Sequence, residues 1–236
     1  MKQRVWELDA LRGLCILCMV VIHFIFDLVD LYGLVQWEYP AVYVFVQNWG
    51  GVLFLLISGI CVTLGSHCVR RGLIVFGCGL AVSAVTIGMY LFGMASHGII
   101  IWFGVLHCLG VCMLLWPLCR KLPVWALAAV GCALAAAGFL LEGIPVSHDW
   151  LMPLGITSPT FSSSDYFPLL PHLGFFLLGA FLGKTVYRKR QTLLPRVDPQ
   201  LWPLRFLRLC GKHSLWIYLL HQPVLSAVFW LILAIR

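Results

Sequence analysis

Runs of about twenty mostly apolar residues recur along this chain, and a run of that length is what a helix needs to cross the hydrocarbon core of a bilayer. That single feature sets the fold class: an all-α, polytopic transmembrane helical bundle. About seven spans can be placed, at roughly 11–31, 41–65, 73–93, 98–118, 123–142, 166–187 and 213–234, all in one membrane domain covering 1–236. Composition agrees, because the 236 residues are 61% apolar and 11% charged, with a mean hydropathy of +0.96, well beyond a soluble globular domain.

The positive charges set an expected orientation, since Lys and Arg near span ends are retained on the cytoplasmic side. Lys2, Arg4 and Arg12 flank the first span, Arg70 and Arg71 the third, and Arg120 and Lys121 the turn after the fourth. Lys184, in the last turn of the sixth span, and seven more between the sixth and seventh spans bring to fifteen of sixteen the basic residues on one side, leaving only Arg236 on the other. The N-terminus is expected inside and the C-terminus outside, in a multi-pass protein of the cell (inner) membrane. The net charge of +7 then reflects sidedness and attraction to anionic headgroups, and no nucleic-acid partner is needed to explain it. The first apolar run lacks an A-x-A-like cleavage site and continues into Asp27 and Asp30, so it is expected to stay as a span.

Most of the ten cysteines lie inside expected spans, where they act as small apolar residues rather than as disulfide partners. Two connections are long: an outer one over 143–165 and a basic inner one over 188–212, each expected to be loop with short helical pieces, the inner one along the membrane surface. Glycines such as Gly179 and Gly183 are spaced for close helix packing. "GAFLGKT" at 179–185 has three residues between its glycines where a P-loop has four, so no nucleotide-triphosphate site is assigned.

The segment "LDALRGLCILCMVVIHFIFDLVD", residues 8–30, carries five groups that lipid penalises. With Asp9 at zero and about 100° per residue, Arg12 falls at about 300°, His23 at about 320°, Asp27 at about 0° and Asp30 at about 300°. Cys15 and Cys18 point elsewhere, which sets aside redox chemistry for the C-x-x-C. At about 1.5 Å per residue His23 lies roughly 16 Å from Arg12, so Arg12 belongs at the cytoplasmic rim and His23 near the bilayer centre. Ionisable groups at that depth face a bundle interior or wet cavity and mark a functional pathway. The plainer alternative makes Asp9, Arg12 and Asp30 interfacial groups and leaves His23 and Asp27 as a buried hydrogen-bonded pair.

Further polar residues sit at comparable depth on other spans: Gln47, Asn48 and Ser58 on the second, His107 on the fourth, His221 and Gln222 on the seventh, with His172 nearer the outer surface. No H-x-x-x-H occurs, and His23 with Asp27 is the sole pair at ligand spacing, so no metal is expected.

An arginine at the mouth of the first helix followed, after ten residues, by histidine resembles the membrane acyltransferases of the acyltransferase-3 type. "WELDALRGLCILCMVVIHFIFDL", "LFLLISGICVTLG", "WFGVLHCLGVCMLL", "DYFPLLPHLGFFLLGAFLG" and "HSLWIYLLHQPV" together resemble the bacterial proteins grouped with the heparan-alpha-glucosaminide N-acetyltransferase catalytic domain. That resemblance implies transfer of an acyl group, usually acetyl from acetyl-CoA, to a sugar amine or hydroxyl of a glycan or envelope molecule, often across the membrane. The animal enzymes have more spans, a luminal domain and a different residue in place of His23, so heparan sulfate itself is not carried over.

The stripe accommodates that chemistry. Arg12, with Arg70 and Arg71, would hold the phosphates of coenzyme A. His23 would be the general base and Asp27 would orient its imidazole. Asp9, Asp30, Gln47, Asn48, Ser58, His107 and His221 would be supporting polar groups. Direct attack on the thioester and an acyl-histidine intermediate both stay open, as does a homo-oligomer. Two other function classes compete: a proton-coupled small-molecule transporter with the histidines as a relay, and a non-catalytic membrane partner.

Overall fold

A computed structural model describes residues 5–144 and 146–235. Lys2, Arg4 and Arg236, which contribute to the orientation argument, lie outside the described residues. The described residues form eight α-helices: α1 (Trp6–Phe26), α2 (Ala41–Leu64), α3 (Cys68–Leu91), α4 (Val105–Cys119), α5 (Val124–Leu141), α6 (Leu169–Thr185), α7 (Trp202–Lys212) and α8 (Ser214–Ile235). A π turn, Asp27–Leu31, continues α1. No β-strand occurs among the described residues, and none of the cysteines there is in a disulfide.

Five helices are long and apolar enough to cross a membrane: α1 with its π turn, α2, α3, α5 and α8. The protein is an all-helical membrane protein. The fourth and sixth expected spans are shorter, as α4 and α6, and the reason for α4 is local. Residues 100–104, expected to be helical, are extended: the Ile101 N–H donates to Thr86 Oγ1 (3.2 Å) and the Trp102 N–H to Ser163 Oγ (3.2 Å), so side chains from elsewhere satisfy this backbone and the helix begins only at Val105. Arg70 and Arg71, expected in a loop, are exposed in the first turn of α3.

Internal contacts divide the chain into two units, one built from residues up to Phe54 and from Arg190 onward, the other from Leu55 to Lys189; α2 contributes its first half to one and its second half to the other. In the first unit, α7 packs along the N-terminal turns of α1, and α8 touches α1 at Arg12, His23 and Phe24. The approach of α1 to α7 is backbone to backbone. A side-chain carbon at Gly13 would land on the Leu207 carbonyl, and one at Gly211 on the Asp9 carbonyl, so both positions exclude any larger residue. The pairing of 207 with 13 and of 211 with 9 runs α7 antiparallel to α1. After the joint at His213, α8 returns parallel to α1, bringing Ser214 beside Arg12, His221 beside His23 and Phe229 beside Tyr32. Glu7, itself buried, fixes the connection that leads into α7 by accepting the Leu193 N–H at 2.8 Å.

The second unit is held by the same kind of small-residue contact. Gly59 faces the Phe176 carbonyl and Gly179 the Leu56 carbonyl, which joins the second half of α2 to α6; Gly174 faces Gly131 and Ala135, joining α6 to α5. Gly72 packs against Gly110 and Met113, and Gly79 against the His107 ring, so α3 and α4 run antiparallel. Leu55, Ile57, Cys108, Cys112, Leu127, Phe176 and Leu177 fill the space between these helices. In lipid, packing of this density replaces the hydrophobic drive available in water.

Candidate functional site

The first unit gathers most of the polar stripe. The His23 ring nitrogen Nδ1 lies 2.9 Å from the Met19 carbonyl oxygen. A carbonyl can only accept, so Nδ1 carries the proton and Nε2 of the neutral ring holds a lone pair. His221 is arranged in the same way: Nδ1 donates to the Tyr218 carbonyl at 2.5 Å, and Nε2 is buried with no hydrogen-bond partner. The two rings meet edge to face, with centroids 4.8 Å apart. Two imidazoles on different helices therefore come together with their Nδ1 atoms committed to their own backbones.

Asp27 is completely buried, with 0% of its surface exposed. It opens the π turn, in which the Tyr32 N–H donates to the Asp27 carbonyl (2.9 Å); such widened turns concentrate at functional sites. Asp27 is expected to orient the His23 imidazole; in the structure the Met19 carbonyl takes the ring's Nδ1–H, while the Asp27 carboxylate takes the Gln222 side-chain amide, whose nitrogen lies 3.1 Å from each carboxylate oxygen. Gln222 Oε1 is buried and unpartnered. Two adjacent residues of α8 thus bring unspent acceptors, His221 Nε2 and Gln222 Oε1, into a protein interior where nearly every polar atom is normally satisfied.

Toward the N-terminal end of the same face, Arg12 Nη2 donates to Ser214 Oγ at 2.9 Å, and the guanidinium lies 5.6 Å from the Phe54 ring centroid. Arg12 Nε is buried without a partner. The chemistry of the stripe is consequently split along α1, with an unspent cationic donor at one end and unspent acceptors at the other. Asp9 lies between them and the N-terminus, half-buried, with its backbone against Gly211.

Asp30 leaves the stripe. The wheel that placed it with Arg12 assumes an α-helix throughout, whereas the π turn advances each residue by less, and Asp30 is exposed and accepts from the Tyr39 hydroxyl. That hydrogen bond, ahead of any burial, raises the pKa of the Tyr39 phenol. Gln47 and Asn48 are exposed on α2 and are not part of the His23 cluster.

The remaining candidates belong to the second unit. His107 is 2% exposed, and both its nitrogens are spent: Nδ1 accepts the Gly104 N–H (3.2 Å), and Nε2 meets Ser83 Oγ (3.3 Å), whose hydroxyl donates onward to the Ile101 carbonyl (2.5 Å). With Asp165 accepting the Val105 N–H at 3.1 Å, this histidine closes the N-terminus of α4, where free N–H groups need acceptors. His172 donates Nδ1–H to the Pro168 carbonyl at 2.7 Å. Ser58 Oγ is buried without a partner, and Arg70 and Arg71 sit in the first turn of α3. No group of three His, Cys, Asp or Glu residues with metal-binding geometry occurs among the described residues.

Gln222 and Ser214 are the residues of the candidate site that the sequence leaves without a role. Both sit in the "HSLWIYLLHQPV" segment, but a hydrogen bond to a residue some two hundred positions away gives no local signal. Residues 4–223 match the family described as heparan-alpha-glucosaminide N-acetyltransferase, catalytic. No curated protein and no solved structure matches the chain. The matched region takes in Arg12, His23, Asp27, Ser214, His221 and Gln222 together, and the chain belongs to the heparan-alpha-glucosaminide N-acetyltransferase catalytic family.

Proposed function

We propose that this protein is a membrane acyltransferase that moves an acetyl group from acetyl-CoA to an amine or hydroxyl of a sugar in a glycan or envelope molecule, with His23 as general base. The observation that carries the proposal is the tautomer of His23: with Nδ1–H held by the Met19 carbonyl, Nε2 is the basic atom. In the forward step the acceptor nitrogen or oxygen attacks the thioester carbonyl, the new C–N or C–O bond forms, and the C–S bond breaks. The acceptor's proton goes to His23 Nε2, and coenzyme A leaves as thiolate, to be protonated in turn. His221 Nε2 and Gln222 Oε1 suit the remaining hydrogens of an amine or hydroxyl, because they are acceptors without donors. The buried Asp27 carboxylate offsets the charge that His23 gains.

Arg12 is assigned to the phosphates of coenzyme A, where an unspent Nε–H and a pre-positioned guanidinium favour charge-assisted hydrogen bonds. For Arg70 and Arg71 the same assignment rests on sequence alone. The proposal includes seven crossings, with α4 and α6 as the two additional ones, and a cytoplasmic N-terminus.

The test is acetyl transfer by the purified protein in lipid nanodiscs, using labelled acetyl-CoA and a panel of amino sugars. His23→Ala should lower turnover by about 10²- to 10⁴-fold while the protein remains folded, and Arg12→Ala should raise the KM for acetyl-CoA. Full turnover in His23→Ala removes that residue from the chemistry, and proton-coupled uptake without any transfer overturns the assignment as an enzyme.

A further inference from the structure

We propose that the outward face of α7 is a docking surface for anionic phospholipid, in the leaflet that lies at the N-terminal end of α1. With Trp202 at zero, Phe206 falls at about 40° and Leu209 at about 340°, with Arg205 at about 300° and Lys212 at about 280°; Leu207 and Gly211, at about 140° and 180°, point the opposite way. Leu207 and Gly211 are the positions spent on the backbone contact with α1. The opposite ridge is uncovered, with Trp202 at 78%, Leu209 at 55% and Phe206 at 47% exposure, and Arg205 and Lys212 are exposed along one flank. An apolar ridge bordered by cations is the pattern of a helix seated at the boundary between headgroups and acyl chains.

Connectivity holds α7 there. Only His213 separates it from α8, which is long and apolar enough to span, so the C-terminal end of α7 stays at the membrane, and the contacts of Leu207 and Gly211 with α1 hold it beside a second helix of spanning length. Charge selects the lipid. Residues 190–212 contain Arg190, Arg196, Arg205, Arg208 and Lys212 against the single acid Asp198, whose carboxylate already accepts the Gln200 N–H at 2.8 Å. Arg208 is engaged with the Pro199 carbonyl, leaving Arg190, Arg196, Arg205 and Lys212 as the exposed cations of the segment. A second copy of this surface would set like charges against one another, whereas anionic headgroups neutralise them.

The experiment places a photo-crosslinking benzophenone amino acid at Phe206 in the full-length protein. The protein is reconstituted in nanodiscs of phosphatidylcholine and phosphatidylglycerol, and the adducts are identified by mass spectrometry. The expected product is a lipid adduct in which phosphatidylglycerol exceeds its share of the nanodisc. Arg205→Gln and Lys212→Gln should each reduce that excess by up to about fivefold, Arg205→Lys should retain it, and added salt should weaken it. Adducts between two protein chains, lipid adducts in the bulk ratio, or an excess that survives loss of both charges would each overturn the proposal. The readout is independent of acetyl transfer, so it stands or falls apart from the assigned activity.

Discussion

What a buried histidine can do is decided by the atoms that hold its two nitrogens. His23 and His221 lie within long apolar helices and His107 in the first turn of another, all on apolar runs legible in the sequence; the fate of each nitrogen is not. His107 has both occupied, so it closes a helix end, whereas His23 keeps Nε2 because its own helix supplies the acceptor for Nδ1. The stripe on α1 was likewise legible as far as Asp27, because the periodicity holds that far, and it failed at Asp30 because no local sequence signal announces the π turn. Asp27 is a carboxylate held out of water on the strength of one side-chain partner. Its buried carboxylate takes the Gln222 amide, and hydrogen bonds to charged groups contribute about 1.5 to 3 kcal/mol. Gln222→Leu, close in size but with no donor, should destabilise the protein by about that amount in reversible unfolding from mixed micelles. Asp27→Asn with Gln222→Leu should recover part of the loss, because the amide carries no net charge to leave unpaired.

At the scale of elements, helix existence was read correctly from apolar runs, but ends and contacts depend on partners far along the chain. The start of α4 moved because Thr86 and Ser163 satisfy the extended backbone before it, and α7 sits against α1 because Gly13 and Gly211 bear no side chains. Gly13→Ala would put a methyl group onto the Leu207 carbonyl, where neither backbone can yield freely; overpacking of this kind costs about 1 to 3 kcal/mol. A side-chain carbon at Gly77, by contrast, meets nothing within 4 Å, so Gly77→Ala should stabilise α3 by about 0.5 to 1 kcal/mol through helix propensity. Paired thermal unfolding curves in one detergent check both signs. The connection over 143–165 offers a pH test. Tyr166 donates to the Met152 carbonyl at 2.7 Å, and burial, followed by the nearby Asp149 charge, pushes its phenol up to about 12. A raised folded-state value means that its contribution is complete below the ordinary value of about 10 and is lost as pH rises through the folded value. Protease resistance of the 143–165 connection should therefore decline across that alkaline window, and Tyr166→Phe should start lower and show less decline.

For the whole molecule, the open structural quantity is the number of crossings, and contacts within the second unit bear on it. Gly79 lies on His107 and Gly72 on Gly110 and Met113, so α4 descends beside α3, itself of spanning length. The start of α4 is tied to Asp165 and Pro168, just before α6, and the turn after α4 is tied to the end of α6, because Lys184 Nζ donates to the carbonyls of Arg120 (2.8 Å) and Leu122 (3.3 Å). The two shorter helices therefore run parallel, and Arg70, Arg71, Arg120, Lys121 and Lys184 collect at one end of the unit, the clustering that the proposed orientation requires. A helix of 15 residues, as α4 is, extends about 22 Å, less than the hydrocarbon thickness. Because most of α4 is buried in protein, the extended backbone before it needs no lipid-tolerant partner. Both five and seven crossings leave the termini on opposite sides, so terminal tags cannot separate them, but the internal loops can. A protease site inserted at Lys121 of the full chain should resist protease added outside spheroplasts, and one at Thr160 should be cut. With five crossings both results reverse, because α4 and α6 would then return to the side from which they entered.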